Sequence, residues 1–418
     1  MSGITDGSMT RSVEEHLAEI LAAVQVLPSE SIAVRDAIGR TVAHDVLAAE
    51  QIPVFDNAAM DGFAVRRADV ASASPDTPVV LEVVADIPAG SHEDPALGPG
   101  QAARIMTGAP IPTDADAVVP VEQTVEGFTA HIGDSITVRQ APTGAGHIRK
   151  AGEDLRVGDV VVPAGTRIGP FQASAMNAAG VAFVDVAAAP RVAIVSTGSE
   201  LRTPGEILDR GEIPESNSAL LAGLVEAAGG VVAIQRKVLD DPELLHAVVD
   251  GLADIDVVIM SGGVSAGAYE PVRQAFGATG QMRFVHVAMQ PGKPQGFGRL
   301  ENGRLLFGFP GNPVSVAVSF EMFARPALLA LQGRSDIHRP RIRIPAAESW
   351  RTPRGRRQLL PAVVDRSDPE RWTVRPAHAG GSGSHMAGGL ARAEAIAIIP
   401  AEVDVVEAGD LVDVMLVW

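Results

Sequence analysis

Apolar residues in SVEEHLAEILAAVQVLP fall at Val13, Leu17, Ile20, Leu21 and Val24, the spacing of one helical face. Ser12 stands as a possible N-cap and Pro28 lies beyond the end, so the pattern predicts an amphipathic helix near the start. From residue 50 to about 185 short Val- and Ile-rich stretches are broken by Gly, Pro and Asp, which predicts β structure with many turns and no long helix. Between 187 and 333 the pattern changes again. The runs RVAIVSTG, DVVIMSGG and RLLFGFPG alternate with helical segments around 217–228, 242–253 and 313–332, predicting a mostly parallel, three-layer α/β unit. From 340 onward RIRIPA, RWTVRPA, AIAIIPA and LVDVMLVW read as strands with turns between them, so a small β domain is expected at the C-terminus.

Composition narrows what such a chain does. At 418 residues it is too long for one core, and three or four domains are expected. A 46% hydrophobic content excludes wholesale disorder. With no cysteine, the chain has no disulfide, thiolate metal site, iron–sulfur cluster or thiol nucleophile, and a reducing cytoplasm suits it. No 18-residue apolar run is read, and MSGITDGSM lacks the basic and apolar regions of a secretory signal, so neither export nor membrane insertion is expected. Residues 1–9 read as a flexible leader. The net charge of -17 argues against nucleic-acid binding, and the one basic cluster, RTPRGRRQ, is short. Any anionic ligand must therefore be held by local donors against the overall field.

The strand ends are where such donors are expected. Each apolar run of the α/β unit ends in a Gly-containing turn, and open α/β sheets bind ligands outside the carboxyl ends of their strands. In SGGVSAG, Gly262, Gly263 and Ser265 offer backbone that a phosphate or oxyanion can approach closely. In FPGNPVS, Asn312 stands as N-cap and Pro313 at the first position of a long apolar helix, whose free amides and positive dipole end face the same edge. No GxxxxGK[ST] and no G-x-G-x-x-G after a strand occurs, which disfavours a kinase or dehydrogenase. HExxH is likewise missing, so a zinc enzyme is not supported. In DDPELL, Asp241 is explained as a helix cap; Asp240 is left as either a Mg²⁺ ligand or a solvated turn residue. The polar residues of FDNAAMDGFAV, RIMTGAPIP and HIRKAGEDL, taken singly, fit turns or charged surface loops equally well.

Together FDNAAMDGFAV, RIMTGAPIP, IRKAGEDL, STGSEL, SGGVSAG, PGKP and FPGNPVS, in this order, resemble the molybdopterin molybdenumtransferase family, which includes the gephyrin E domain. The resemblance implies an elongated homodimer of four-domain chains. In it a discontinuous helical and β domain (10–49 and 148–186) precedes and follows a β-rich second domain (50–147). A central α/β domain of the molybdopterin-binding type (187–335) and a small C-terminal β-barrel (336–418) follow. It also implies the activity: Mg²⁺-dependent insertion of molybdate into adenylylated molybdopterin with release of AMP. The cleft would lie between the α/β domain of one subunit and the second domain of the other.

Residue by residue, the resemblance carries catalytic roles to Asp61, Thr107, Asp154, Glu200, Asp240 and Glu270, the last standing where the family commonly has Asp. Asp240 and Glu270 would hold Mg²⁺. Lys293, Ser315 and Ser384 look like oxyanion and phosphate contacts, with Pro310 and Pro313 framing the loop around Asn312. Three departures remove positive charge: His286 and Gln290 stand where members often carry lysine, and Pro361 where arginine is frequent. Lys293 with Arg356 or Arg357 would then have to suffice. Those losses keep an alternative open, a gephyrin-like dimeric scaffold holding a short peptide of a membrane receptor, cytoskeletal or cell-division partner.

Overall fold

A computed structural model of the chain describes residues 10–144, 146–265, 270–378 and 383–417; the leader, residues 1–9, lies outside them. The three apolar runs become three adjacent parallel strands, Arg191–Thr197, Val257–Ser261 and Leu305–Phe309, with Val231–Val238 parallel on the outer side of the first. An antiparallel pair, Pro294–Arg299 and Arg283–His286, completes the six-stranded sheet. Alternate residues feed opposite layers, as the strand period requires. Val192 and Ile194 pack with Leu221 and Val225 of the helix Asn217–Ala227. Ala193 and Val195 pack with Leu245 and Val249 of Pro242–Asp250 and with Phe276 of Pro271–Gly277. The predicted three-layer unit is thus present, with an antiparallel edge.

The long apolar helix runs as Pro313–Ser319, a π turn over Phe320–Ala324, and Arg325–Leu331. Its mean hydropathy, 1.5 over an 18-residue window, corrects the expectation that no such apolar stretch exists. However, 83% of that window is buried inside the protein, so the apolarity is that of a core helix. The one carboxylate in the π turn, Glu321, is 5% exposed and accepts from Nε and Nη2 of Arg339, each at 3.0 Å.

At the N-terminal end Ser12 caps Val13–Ala22 reciprocally with Glu15, the two bonds being 3.1 and 2.8 Å. The resemblance groups this helix with 148–186, yet its Val13 and Ile20 are buried in the cluster of the central sheet. The 148–187 segment instead meets the chain just after the helix. Ser29–Ala33 pairs antiparallel with Phe183–Ala187, and Val46–Leu47 with Val160–Val162. Within residues 50–185 a short helix, Pro170–Ala178, buries Ala173 and Met176. Its small and polar residues gave no apolar stripe to read.

Both β-rich regions close on themselves. In the first the strands run in the order Ala117–Pro120, Gly62–Val65, Gln101–Ile105, Val79–Ile87, Ser135–Val138, and a Thr124–Val138 bridge joins the two edges. In the C-terminal region the order is Thr373–Pro376, Arg357–Asp365, Ala395–Ile399, Leu411–Leu416, Arg341–Pro345; an Ala346–Val374 bridge closes it as a small barrel. Met289–Gln290, from the central unit, adds itself in parallel to Arg357 and Gln358 of that barrel.

Candidate active site

The strand-end turns meet closely enough to require glycine. Gly262 has φ +96°, and a Cβ there would lie 2.6 Å from the Thr197 carbonyl oxygen. Its N–H donates to the Phe309 carbonyl at 3.0 Å, which ties the second turn to the third. Asn312 occupies the N-cap position, but its side chain does not cap. Its Nδ2 donates instead to Ser384 Oγ at 2.8 Å, reaching across to the barrel, and Val314 N donates to the Ser384 carbonyl at 3.2 Å.

A cavity of about 430 Å³ opens between this turn and the barrel. Of the residues singled out in the sequence, Ser265, Lys293, Pro310, Asn312, Ser315 and Ser384 line it, whereas Gly262, Gly263 and Pro313 do not. Gln290, Arg356 and His385 complete its polar wall. Among the described residues that line it none is acidic, in a chain of net charge -17. Such a wall favours a small anion, because its cations are not offset by a carboxylate in the wall itself.

The three charge losses prove unequal. Gln290 lines the cavity; His286 and Pro361 do not. His286 lies in the edge strand opposite Pro294, its carbonyl accepting from Arg11 N at 2.9 Å. Pro361 faces Ile396 across the barrel sheet and borders an apolar crevice with Leu390. Of the two arginines offered as substitutes, Arg356 lines the cavity, while Arg357 is paired with Glu14 of the first helix.

None of the acidic candidates lines that wall, although Glu270 stands directly behind it. Asp61 Oδ1 accepts from Thr107 N at 2.6 Å and from Thr107 Oγ1 at 2.7 Å, and these two bonds hold its carboxyl below the ordinary range. Asp56 is likewise lowered, by Lys150 Nζ at 2.7 Å and Ala151 N at 2.8 Å, which explains one oddity of FDNAAMDG as a loop clasp. Asp154 is exposed in a turn whose N–H donates to the Ile52 carbonyl at 3.0 Å. Asp240 Oδ2 accepts from Ser199 N at 2.9 Å, and a Cβ on Gly198 would lie 2.8 Å from Glu200 Oε2, so both acids sit at the end of Arg191–Thr197. Asp241 caps Pro242–Asp250 as predicted, accepting from Glu243 N and Leu244 N. Glu270 Oε2 accepts from Ser265 N at 2.8 Å and therefore stands against one wall of the cavity.

Among the described residues no three His, Asp or Glu side chains converge as a ready-made metal cage. Mg²⁺ does not need one, because it is commonly held by one or two carboxylates with substrate phosphates and water. Asp240 and Glu270 are carboxylates of the type such a site uses. Each spends one oxygen on a backbone amide that fixes its orientation.

Three family models divide the chain between them: the MoeA N-terminal region (domain I and II) over residues 11–180, the probable molybdopterin binding domain over 193–330, and the MoeA C-terminal region (domain IV) over 343–417. A molybdopterin molybdenumtransferase 2 of Mycobacterium tuberculosis is 42% identical over 406 residues, covering 96% of this chain and 98% of the relative. The chain belongs to the molybdopterin molybdenumtransferase family. A second relative from the same organism, molybdopterin molybdenumtransferase 1, is 36% identical over 97% of this chain and 98% of its own length. A solved molybdopterin biosynthesis MoeA protein from Pyrococcus horikosii superposes with a TM-score of 0.81 at 30% identity, covering 98% of this chain and 99% of that one. Within the molybdopterin molybdenumtransferase family's division, the cavity is a junction. Lys293, Asn312 and Ser315 come from the probable molybdopterin binding domain, and Arg356, Ser384 and His385 from the C-terminal region. Asp61, Thr107 and Asp154 belong to the N-terminal region. Sequence reasoning did not single out His385, although it directly follows Ser384 in GSGSH.

Proposed function

We propose that this chain inserts molybdenum from molybdate into adenylylated molybdopterin and releases AMP, a step of molybdenum cofactor biosynthesis. The observation that carries the reading is the acid-free cavity at the junction of the central sheet and the barrel. A tetrahedral dianion there would meet the Lys293 ammonium and the Arg356 guanidinium, with Ser265, Ser315 and Ser384 hydroxyls as neutral donors. Ser384 is oriented by Asn312, so its lone pairs and proton are not free to turn at random.

Asp240 and Glu270 would hold Mg²⁺, which supplies positive charge beside the phosphoanhydride when bound. Asp240 is kept facing the first strand end by Ser199 N–H, and Glu270 is kept beside the cavity by Ser265 N–H. Asp61, held ionised by Thr107, offers a fixed negative charge that could orient water or the pterin.

The same reading makes the protein a cytoplasmic homodimer in which Asp61, Thr107 and Asp154 of one subunit complete the cavity of the other. Phe171 and Phe183, exposed by 87% and 67%, support an apolar contact with a second copy. The alternative, a peptide-holding scaffold, is not favoured: whole-length relatives carry transferase names, and two of the three charge losses fall outside the cavity wall.

The test is AMP release from adenylylated molybdopterin by the purified full chain with Mg²⁺ and molybdate. Wild type should turn over, and Asp240→Asn should lower the rate at least about a hundredfold. A wild type that releases no AMP would overturn the reading.

A further inference from the structure

We propose that Asn217 is a positioning residue that keeps the anion cavity in shape by clamping the Pro310–Asn312 turn from the helix side. The transferase reading enters only in saying what the cavity holds. Asn217 opens the helix Asn217–Ala227, is 7% exposed, and donates from Nδ2 to the Gly311 carbonyl at 2.7 Å. That turn has few donors of its own, because Pro310 and Pro313 lack an N–H. It is therefore held from outside on three sides. Gly262 N–H ties Phe309, Asn312 ties Ser384, and Asn217 ties the residue between them.

The clamp is itself braced. Glu215 Oε1 accepts from Ser218 N at 2.9 Å and from Ser196 Oγ at 3.1 Å, and Ser261 Oγ donates to Ser196 Oγ at 3.3 Å. Ser196 and Ser261, 0% and 2% exposed, lie in the two middle parallel strands. A buried polar network of this kind fixes geometry because each member costs free energy when left unpaired. It joins the sheet to the turn and helix start whose Pro310, Asn312 and Ser315 line the cavity. Asn217 does not line the cavity, so its effect on the anion passes through Gly311.

Asn217→Asp tests this through its charge. Ionised, as the amides at the start of Asn217–Ala227 favour, it sets acceptor against acceptor at the Gly311 carbonyl. Hydrogen exchange of the full chain at pH 8 should show the Gly311–Ser315 amides exchanging at least about tenfold faster than wild type, corrected for intrinsic rates. Molybdate affinity at pH 8, by titration calorimetry, should fall about tenfold. Unchanged exchange overturns the clamp. If the aspartate unfolds the whole chain, Asn217→Ser at pH 8 withdraws the donor without adding charge and is read by the same exchange. A wild type that does not bind molybdate would sink the transferase reading, while the exchange measurement would still decide the clamp.

Discussion

The rim of the central sheet and the closed β unit around Asp61 both carry Gly-containing turns with polar partners, yet they are built for opposite charges. At the rim the cavity wall holds Lys293, Arg356 and His385 with no carboxylate. In the β unit a carboxylate is the feature that is held, by an N–H and a hydroxyl of one threonine. The turns differ in the same sense. Gly262 is crowded, with a Cβ position 2.6 Å from Thr197 O, whereas Gly108 beside Thr107 has φ +83° and nothing within 4 Å. One turn is packed against its neighbour strand end, the other leaves space beside an acid. On the proposed reading, a chain of net charge -17 would receive a dianion by keeping its acids out of the cavity wall, not by lowering their number.

If the two regions complete each other across a dimer, damage to either should be equally severe and mutually curable. Asp61→Asn and Asp240→Asn should each lower AMP release at least about a hundredfold. Equal amounts refolded together should regain about a quarter of wild-type activity, since half the dimers would contain one intact site. No recovery in confirmed mixed dimers would place both residues in one subunit's site.

Next in size is the cavity's charge. Lys293→Ala should weaken molybdate binding roughly thirtyfold, the worth of a charged hydrogen bond of about 2 kcal/mol, while Gln290→Lys should tighten it several-fold. Titration calorimetry reads both, and an unchanged affinity in Lys293→Ala would move the anion elsewhere. The glycines give a stability contrast. Gly262→Ala should cost about 3 kcal/mol, strain plus collision, and Gly108→Ala about 1 kcal/mol, strain alone, measured by the urea midpoint of each variant. Smallest is an acid-limb effect. Because Thr107 lowers the Asp61 carboxyl, the stabilisation is complete above the ordinary carboxylate value and is lost as pH falls through the lower folded value. Thr107→Val keeps the N–H and removes the hydroxyl, so its loss of stability between pH 5 and pH 2.5, followed by denaturant titration, should be shallower than wild type's.

The central sheet was legible because its strands are apolar runs bounded by glycine, and Val257–Ser261 is buried at all five positions as such a run predicts. Asp241 was legible as a cap because capping is local, and it behaves as one. Asn312 has the same local signature and takes the N-cap position, but its side chain does not cap, since a partner 72 residues away competes for it. Pro170–Ala178 escaped notice because Ala, Ser, Gln and Asn make no hydrophobic contrast. The cavity wall is the least local feature of all. Only the folded chain brings Lys293, Arg356 and His385 to one surface, and only it turns Arg357 away to Glu14. Motif order recognised the family without revealing that wall.

The two-residue strand Met289–Gln290 belongs to the central unit by sequence but completes the barrel's ladder beside Arg357 and Gln358. A barrel expressed alone would expose that edge, an invitation to pair with other chains. The ladder also couples the two bodies mechanically. Heating should melt them in a single calorimetric peak, and severing the chain between 332 and 340 should leave the fragments associated.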